Sequence, residues 1–149
     1  MNTATLQESE PPTVAEEQQD QPVVFFDGVC GLCHATVDFF LKRDRDGVFL
    51  FAPLQGNTAK ERLDSRDTTN LGGVVLQVNG KTYRHSSAAV RMLWRLGDVW
   101  SVVGAMLWLV PWPIRHIGYK VVAANRYRLL GKRETCRLPT PEECGRFLP

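Results

Sequence analysis

The pattern of apolar and polar positions predicts short buried strands separated by helices. Residues 23–26 form a continuous apolar run, and residues 48–52 form a second, as is typical of strands buried on both faces. Between these runs, Val37, Phe40 and Leu41 fall at helical spacing. Two strands joined through a helix run parallel, so the pattern predicts a right-handed strand–helix–strand unit.

An antiparallel hairpin is predicted further along the chain. Residues 73–78 alternate as a third strand, Asn79-Gly80 is a strong turn signal, and residues 81–84 return as a fourth strand. A helix follows and ends near Gly97. This order predicts an α/β fold, a thioredoxin-like four-stranded mixed sheet with flanking helices.

Two extra C-terminal helices are predicted from about residue 98, at 99–110 and 114–128, separated by Pro111-Trp112-Pro113. The first is apolar nearly all round, but it is well short of the ~20 residues needed to span a bilayer. Apolar surface of this extent is rarely left in water. We therefore expect the first helix to be buried against the domain, the second to lie over it, and no stable membrane anchor.

Composition and charge favour one soluble domain preceded by a tail. The 149 residues are 44% hydrophobic and 23% charged. Residues 1–21 hold five acids, no base and almost nothing to bury, so we expect a disordered acidic tail before a domain at 22–149. The tail lacks the features of a signal or transit peptide, which favours a cytoplasmic location. The basic residues of the domain are interspersed with acids, so no nucleic acid partner is expected.

The candidate chemistry lies at Cys30 and Cys33, which follow the first strand and begin the next helix. The N–H groups and dipole of a helix N-terminus favour a thiolate, so Cys30 is the expected nucleophile. Cys33, one turn further, can close a disulfide with it and release a bound substrate. The pair predicts a thiol-disulfide oxidoreductase acting on a disulfide-bearing protein or a small thiol such as glutathione.

Asp27, three residues before Cys30, is the third candidate site residue. It could accept a proton from Cys33, or its carboxylate could accept N–H bonds from the loop. A carboxylate beside Cys30 would raise the pKa of that thiol, so we expect Asp27 nearer to Cys33. His34 is expected at the surface.

Other interpretations of the cysteines fit less well. Cys-x-x-Cys-His also matches c-type haem attachment, but the predicted strands and the core pattern around Met92 and Met106 disagree with a haem protein. Zinc would need a second ligand pair, which Cys136 and Cys144 do not supply. We expect no cofactor and no metal. The alternative function is a non-catalytic interaction module that uses the apolar helices and the Arg-rich segment 126–137.

The sequence also resembles the DCC family of thiol-disulfide oxidoreductases, named for its Asp-x-x-Cys-x-x-Cys motif. The similar segments are 26–33, 43–45, 51–55, 86–89, 110–111 and 125–128, with Gly131 and Cys136. The similarity covers about 23–148. It implies a thioredoxin-like fold and places the redox pair on Cys30 and Cys33 and the signature acid on Asp27.

One departure from thioredoxins concerns the residues before the third strand. Thioredoxins place a cis-proline there, facing the redox pair, whereas residues 70–73 contain no proline. This difference argues against a thioredoxin-like grip on polypeptide substrates.

Overall fold

The computed structural model describes residues 21–69, 73–132 and 138–149. Its sheet has four strands, β1 (Val23–Phe26), β2 (Leu50–Pro53), β3 (Val75–Val78) and β4 (Lys81–Arg84), in the order β2-β1-β3-β4. β1 and β2 are parallel, while β3 is antiparallel to both β1 and β4. The predicted α/β fold with a mixed four-stranded sheet, consistent with a thioredoxin-like fold, is confirmed.

Helices connect and extend this sheet. They are α1 (Gly31–Arg43), α2 (Asn57–Arg62), α3 (Ser65–Thr69), α4 (His85–Leu96), α5 (Asp98–Leu109), α6 (Trp112–Ala124), α7 (Arg126–Leu130) and a 3-10 helix (Cys144–Arg146). The turn between β3 and β4 has positive φ at Asn79 and Gly80, as the hairpin signal predicts. The helix predicted at 114–128 is two helices, because the chain leaves helical geometry at Asn125.

The core has two layers, one on each face of the sheet. One layer joins the sheet to α1 and α4 and includes Phe26, Phe51, Val37 and Met92. The other packs apolar residues of β1 and β2 against the region of α2. All four residues of β1 are buried, so the cysteine motif that follows is anchored by a rigid central strand.

The C-terminal helices differ from the prediction, because α5 is not buried against the domain. Gly104 is its one buried residue, whereas its large apolar side chains are 60–74% exposed at Val99, Val102, Met106, Trp108 and Leu109. A helix that is apolar all round can cover only the side that faces the domain, and here that side packs mainly on α4, with Trp100 against Phe39 of α1. No residue of α6 is buried. Within the described ranges, no helix is long and apolar enough to cross a membrane.

The predicted acidic tail, residues 1–21, lies outside the described residues except for Gln21. The side-chain Nε2 of Gln21 donates to the carbonyl of Gly47 at 2.7 Å. Gln21 therefore contacts the domain, one residue before the predicted boundary.

Candidate active site

Cys30 and Cys33 lie side by side where β1 gives way to α1. Cys30 is the N-cap residue of α1 and Cys33 is in its first turn; both are free thiols and both are buried. Burial, and then the neighbouring Cys30, with which it shares a hydrogen bond, raise the pKa of the Cys33 thiol to about 12. Cys33 is therefore protonated at neutral pH, which suits a resolving thiol that reacts only after the mixed disulfide has formed.

Cys30 is closed off from solvent by residues 130–132, which we call the cover segment. The Gly31 N–H donates to the Gly131 carbonyl at 3.2 Å, and Cys30 forms an isolated antiparallel bridge with Lys132. A Cβ atom on Gly31 would clash with the backbone carbonyl oxygen of Leu130, so glycine permits this close approach. The Gly31 N–H at the N-terminus of α1 is therefore hydrogen-bonded to the cover segment. The prediction from the sequence was that such N–H groups are available to the Cys30 thiolate.

The Asp27 carboxylate is fully buried and held by four groups. Its Oδ1 accepts hydrogen bonds from the Val29 N–H at 3.1 Å and from Gln55 Nε2 at 2.9 Å. Its Oδ2 accepts one from the Tyr127 hydroxyl at 3.0 Å and lies 3.5 Å from Arg126 Nη2. We call Asp27, Gln55, Arg126 and Tyr127 the Asp27 cluster. It joins the loop between β1 and α1 (residues 27–30), which we call the motif loop, to the segment that follows β2 and to α7.

Asp27 also lies beside Cys33, the position expected from the sequence. The backbone N–H of Asp27 lowers the pKa of the Cys33 thiol, whereas the charge of its carboxylate raises it. Of the two roles considered for the carboxylate, acceptance of an N–H bond from the loop is the one that this geometry shows, at Val29.

Sequence reasoning did not assign roles to the partners of Asp27. Arg126 and Tyr127 are about a hundred residues away along the chain, too far for any local pattern to connect them. The available signal was the resemblance, since Gln55, Arg126 and Tyr127 all stand in segments that carry it.

The expected surface position of His34 is wrong. The residue is 4% exposed, its Nε2 donates to the Gly28 carbonyl at 2.6 Å, and its ring makes a T-shaped contact with the Phe26 ring. The first turn of α1 lies beneath the motif loop, so the buried His34 side chain holds that loop in place through its hydrogen bond to Gly28.

A mainly apolar cavity of about 210 Å³ opens beside Cys33, and we call it the Cys33 cavity. Its walls come from α1, the residues before β3, α4, α6 and α7, and include Leu32, Cys33, Val74, Tyr119, Val122 and Arg126. The Tyr119 hydroxyl accepts a hydrogen bond from the Val74 N–H at 3.2 Å. The C-terminal helices therefore complete a pocket at the cysteine pair.

The remaining cysteines are not part of this arrangement as far as it is described. Cys144 is exposed on the 3-10 helix, and Cys136 lies outside the described residues. No group of three or more His, Cys, Asp or Glu side chains in the described ranges could hold a metal ion.

Comparisons with known proteins identify the family. A model of the DCC1-like thiol-disulfide oxidoreductase family matches residues 24–132, a range that includes the cysteine pair and the whole Asp27 cluster. The uncharacterized protein YuxK of Bacillus subtilis (strain 168) is 36% identical over 138 residues, which cover 91% of this chain and 100% of that protein. The chloroplastic DCC family protein At1g52590 of Arabidopsis thaliana is 31% identical over 124 residues, covering 82% and 72% of the two chains. No solved structure matches significantly. The chain belongs to the DCC1-like thiol-disulfide oxidoreductase family.

Proposed function

We propose that this protein transfers two electrons between the Cys30–Cys33 pair and a disulfide substrate. The observation that carries the proposal is the contact between two free thiols at the start of α1. Membership of a family described as thiol-disulfide oxidoreductases supports the same class of reaction. The location that we propose is the cytoplasm, whose reducing pool keeps such a pair available as thiols.

The reaction begins at Cys30. Its thiolate attacks one sulfur of the substrate disulfide, the substrate S–S bond breaks, and a mixed disulfide forms while one substrate thiolate leaves. The Cys33 proton passes to this leaving thiolate, and Cys33 then attacks the Cys30 sulfur. The second substrate half leaves as a thiolate, which takes a proton from solvent, and the protein retains a Cys30–Cys33 disulfide, having given two electrons to the substrate.

The electrostatics of Cys33 suit this order of events. The charge of Cys30 is one cause of the raised pKa of Cys33, and it disappears when Cys30 enters a mixed disulfide. Loss of this charge lowers the pKa of Cys33 at the step where Cys33 must act, while burial, the larger cause, continues to raise it.

Asp27 acts in this scheme as a positioning residue. Its carboxylate accepts hydrogen bonds from three donors and lies beside the Arg126 guanidinium. Its bonds fix the loop that carries Cys30. The role of proton acceptor that was considered for Asp27 from the sequence is not needed, because the leaving substrate thiolate accepts the Cys33 proton.

Attack by Cys30 also requires a local opening. Cys30 has no exposed surface beneath the cover segment, so residues 130–132 must move before a substrate sulfur can reach it. Among the described residues, that motion breaks the Gly31–Gly131 hydrogen bond and the isolated Cys30–Lys132 bridge.

Trapping of the mixed disulfide tests the proposal and the two thiol roles. Cys136 and Cys144 are first replaced by serine in every protein, and the reduced proteins are treated with oxidised 2-mercaptoethanol and weighed by mass spectrometry. With both motif cysteines present, we expect an internal disulfide and no lasting adduct. Cys33→Ser should retain one adduct on Cys30, and Cys30→Ser should stay unmodified.

Two other results would count against the assignment. An adduct on Cys33 in the Cys30→Ser protein, with none on Cys30 in its counterpart, would reverse the roles. Failure of the folded Cys30/Cys33 protein to form either an adduct or an internal disulfide would remove the proposed function.

The exposed apolar side chains of α5 and α6 favour the alternative function, an interaction module. An interaction module would not require Cys30 and Cys33 to react, and it would not account for the buried Asp27 cluster. Loss of the internal disulfide in the trapping experiment, with the fold intact, is the result that would favour the interaction module.

A further inference from the structure

Arg126 carries hydrogen-bonding capacity that its neighbours do not use. The residue is 9% exposed; its Nη2 donates to the Tyr127 hydroxyl at 3.1 Å and lies 3.5 Å from the Asp27 carboxylate. Its Nη1 is buried and has no hydrogen-bond partner among the described residues. Leaving a buried charged donor unpaired is unfavourable, so an acceptor supplied by a ligand would relieve a cost that the free protein carries.

The same side chain lines the Cys33 cavity. Among the described residues around this cavity Arg126 is the one charged side chain, and most of the wall is apolar, as at Leu32, Val74 and Val122. The volume of about 210 Å³ corresponds to about seven water molecules at ~30 Å³ each. The cavity therefore has room for a short aliphatic group with one anionic end.

The unpartnered Nη1 of the guanidinium favours a carboxylate as that end. Arginine remains charged at any working pH, so Nη1 can donate a charge-assisted hydrogen bond to a carboxylate oxygen. A carboxylate at Arg126 would leave the other end of a short chain near Cys33, which lines the same cavity and contacts Cys30.

We infer that the Cys33 cavity binds a small aliphatic thiol or disulfide that carries a carboxylate, with the carboxylate on Arg126 and the sulfur at the cysteine pair. This inference rests on the proposed function and names its substrate class. Large polypeptide substrates are disfavoured, because the Val74 N–H just before β3 is already occupied by the Tyr119 hydroxyl. An added peptide strand would need free backbone groups at such a position.

The inference is tested with two disulfides of similar size. The reduced full-length protein is oxidised by the disulfide of 3-mercaptopropionate or by that of 2-mercaptoethanol. Each rate is divided by the rate at which the same disulfide oxidises free dithiothreitol, which corrects for the intrinsic reactivity of the disulfide. We expect a preference for the acid of at least about tenfold, the scale of one charge-assisted hydrogen bond. Arg126→Gln should lose this preference.

Arg128→Gln is the matched control, because it makes the same substitution at an exposed arginine on the same helix. Its preference for the acid disulfide should equal that of the original protein. Loss of the preference in both variants would show a diffuse charge effect and overturn the site. No preference in the original protein would overturn the substrate class and leave the proposed function intact, provided that both disulfides oxidise the pair.

A third measurement covers the case in which Arg126→Gln does not fold. Butyrate and 1-butanol, which contain no sulfur, are added to the original protein during its oxidation by the 2-mercaptoethanol disulfide. Butyrate should slow the reaction and 1-butanol should not. Equal effects of the two compounds would overturn the inference, whereas failure of the disulfide itself to oxidise the pair would count against the proposed function.

Discussion

Cys33 combines burial with a place in the cysteine pair, and both disfavour its charged form. A thiol whose pKa is raised in the folded protein stabilises the fold while it stays protonated. This contribution is fully present below about pH 9, the ordinary value for the thiol, and is lost as the pH rises toward the folded pKa of about 12. Over that range the unfolded chain releases the Cys33 proton and the folded protein does not.

Replacement of Cys33 by alanine should therefore change how stability depends on pH. Between about pH 8 and about pH 10, the free energy of unfolding of the reduced protein should fall more steeply than that of Cys33→Ala. Urea unfolding at several pH values measures both slopes. Burial is the largest cause that raises the pKa values of Tyr119 and Tyr127, and because both tyrosines are present in both proteins, they contribute to both slopes. Parallel slopes would contradict the burial of Cys33 as a thiol.

Among the structural elements, the cover segment controls access to Cys30. Gly131 ends α7 with φ 73° and ψ 175°, a conformation essentially restricted to glycine. Gly97, between α4 and α5, has a closely similar conformation, with φ 71° and ψ −168°. Neither position has an atom of the described residues within 4 Å of an added Cβ, so alanine at either site causes backbone strain without a clash against them.

This similarity allows a controlled test of the opening. Gly131→Ala should strain the cover segment and raise the rate at which iodoacetamide modifies Cys30 in the reduced protein. Gly97→Ala introduces comparable strain at the α4–α5 junction and should leave that rate within about twofold. Alkylation followed by peptide mass spectrometry gives both rates. Equal rates in the two variants would show that the cover segment does not limit access.

Elements could be predicted from the sequence where the determining pattern is local. The strands follow from apolar runs, and the β3–β4 turn follows from Asn79-Gly80, because periodicity and turn chemistry act over a few residues. The burial of α5 could not be predicted in this way, since it depends on how many neighbours surround the helix. The placement of Arg126 beside Asp27 depends on how α7 returns to β1, which no local pattern encodes.

At the scale of the whole molecule, the C-terminal helices are part of the candidate site. α6 supplies Tyr119 to the Cys33 cavity, α7 supplies Arg126 and Tyr127 to the Asp27 cluster, and the cover segment follows α7 directly. The family match continues through these helices to residue 132. That the extension is integral to the fold stays a prediction, whereas the expected burial of α5 is wrong.

The redox equilibrium of the pair is the most direct test of the proposed function. The purified full-length protein is equilibrated in glutathione buffers of stepped potential, its free thiols are alkylated, and the oxidised fraction is measured by mass. We predict one reversible two-electron transition, with a tenfold change in the reduced-to-oxidised ratio per ~30 mV. The transition should persist in Cys136→Ser and Cys144→Ser and vanish in Cys30→Ser and Cys33→Ser. A folded protein with no reversible transition, or one that keeps it without Cys30 or Cys33, would contradict the proposal.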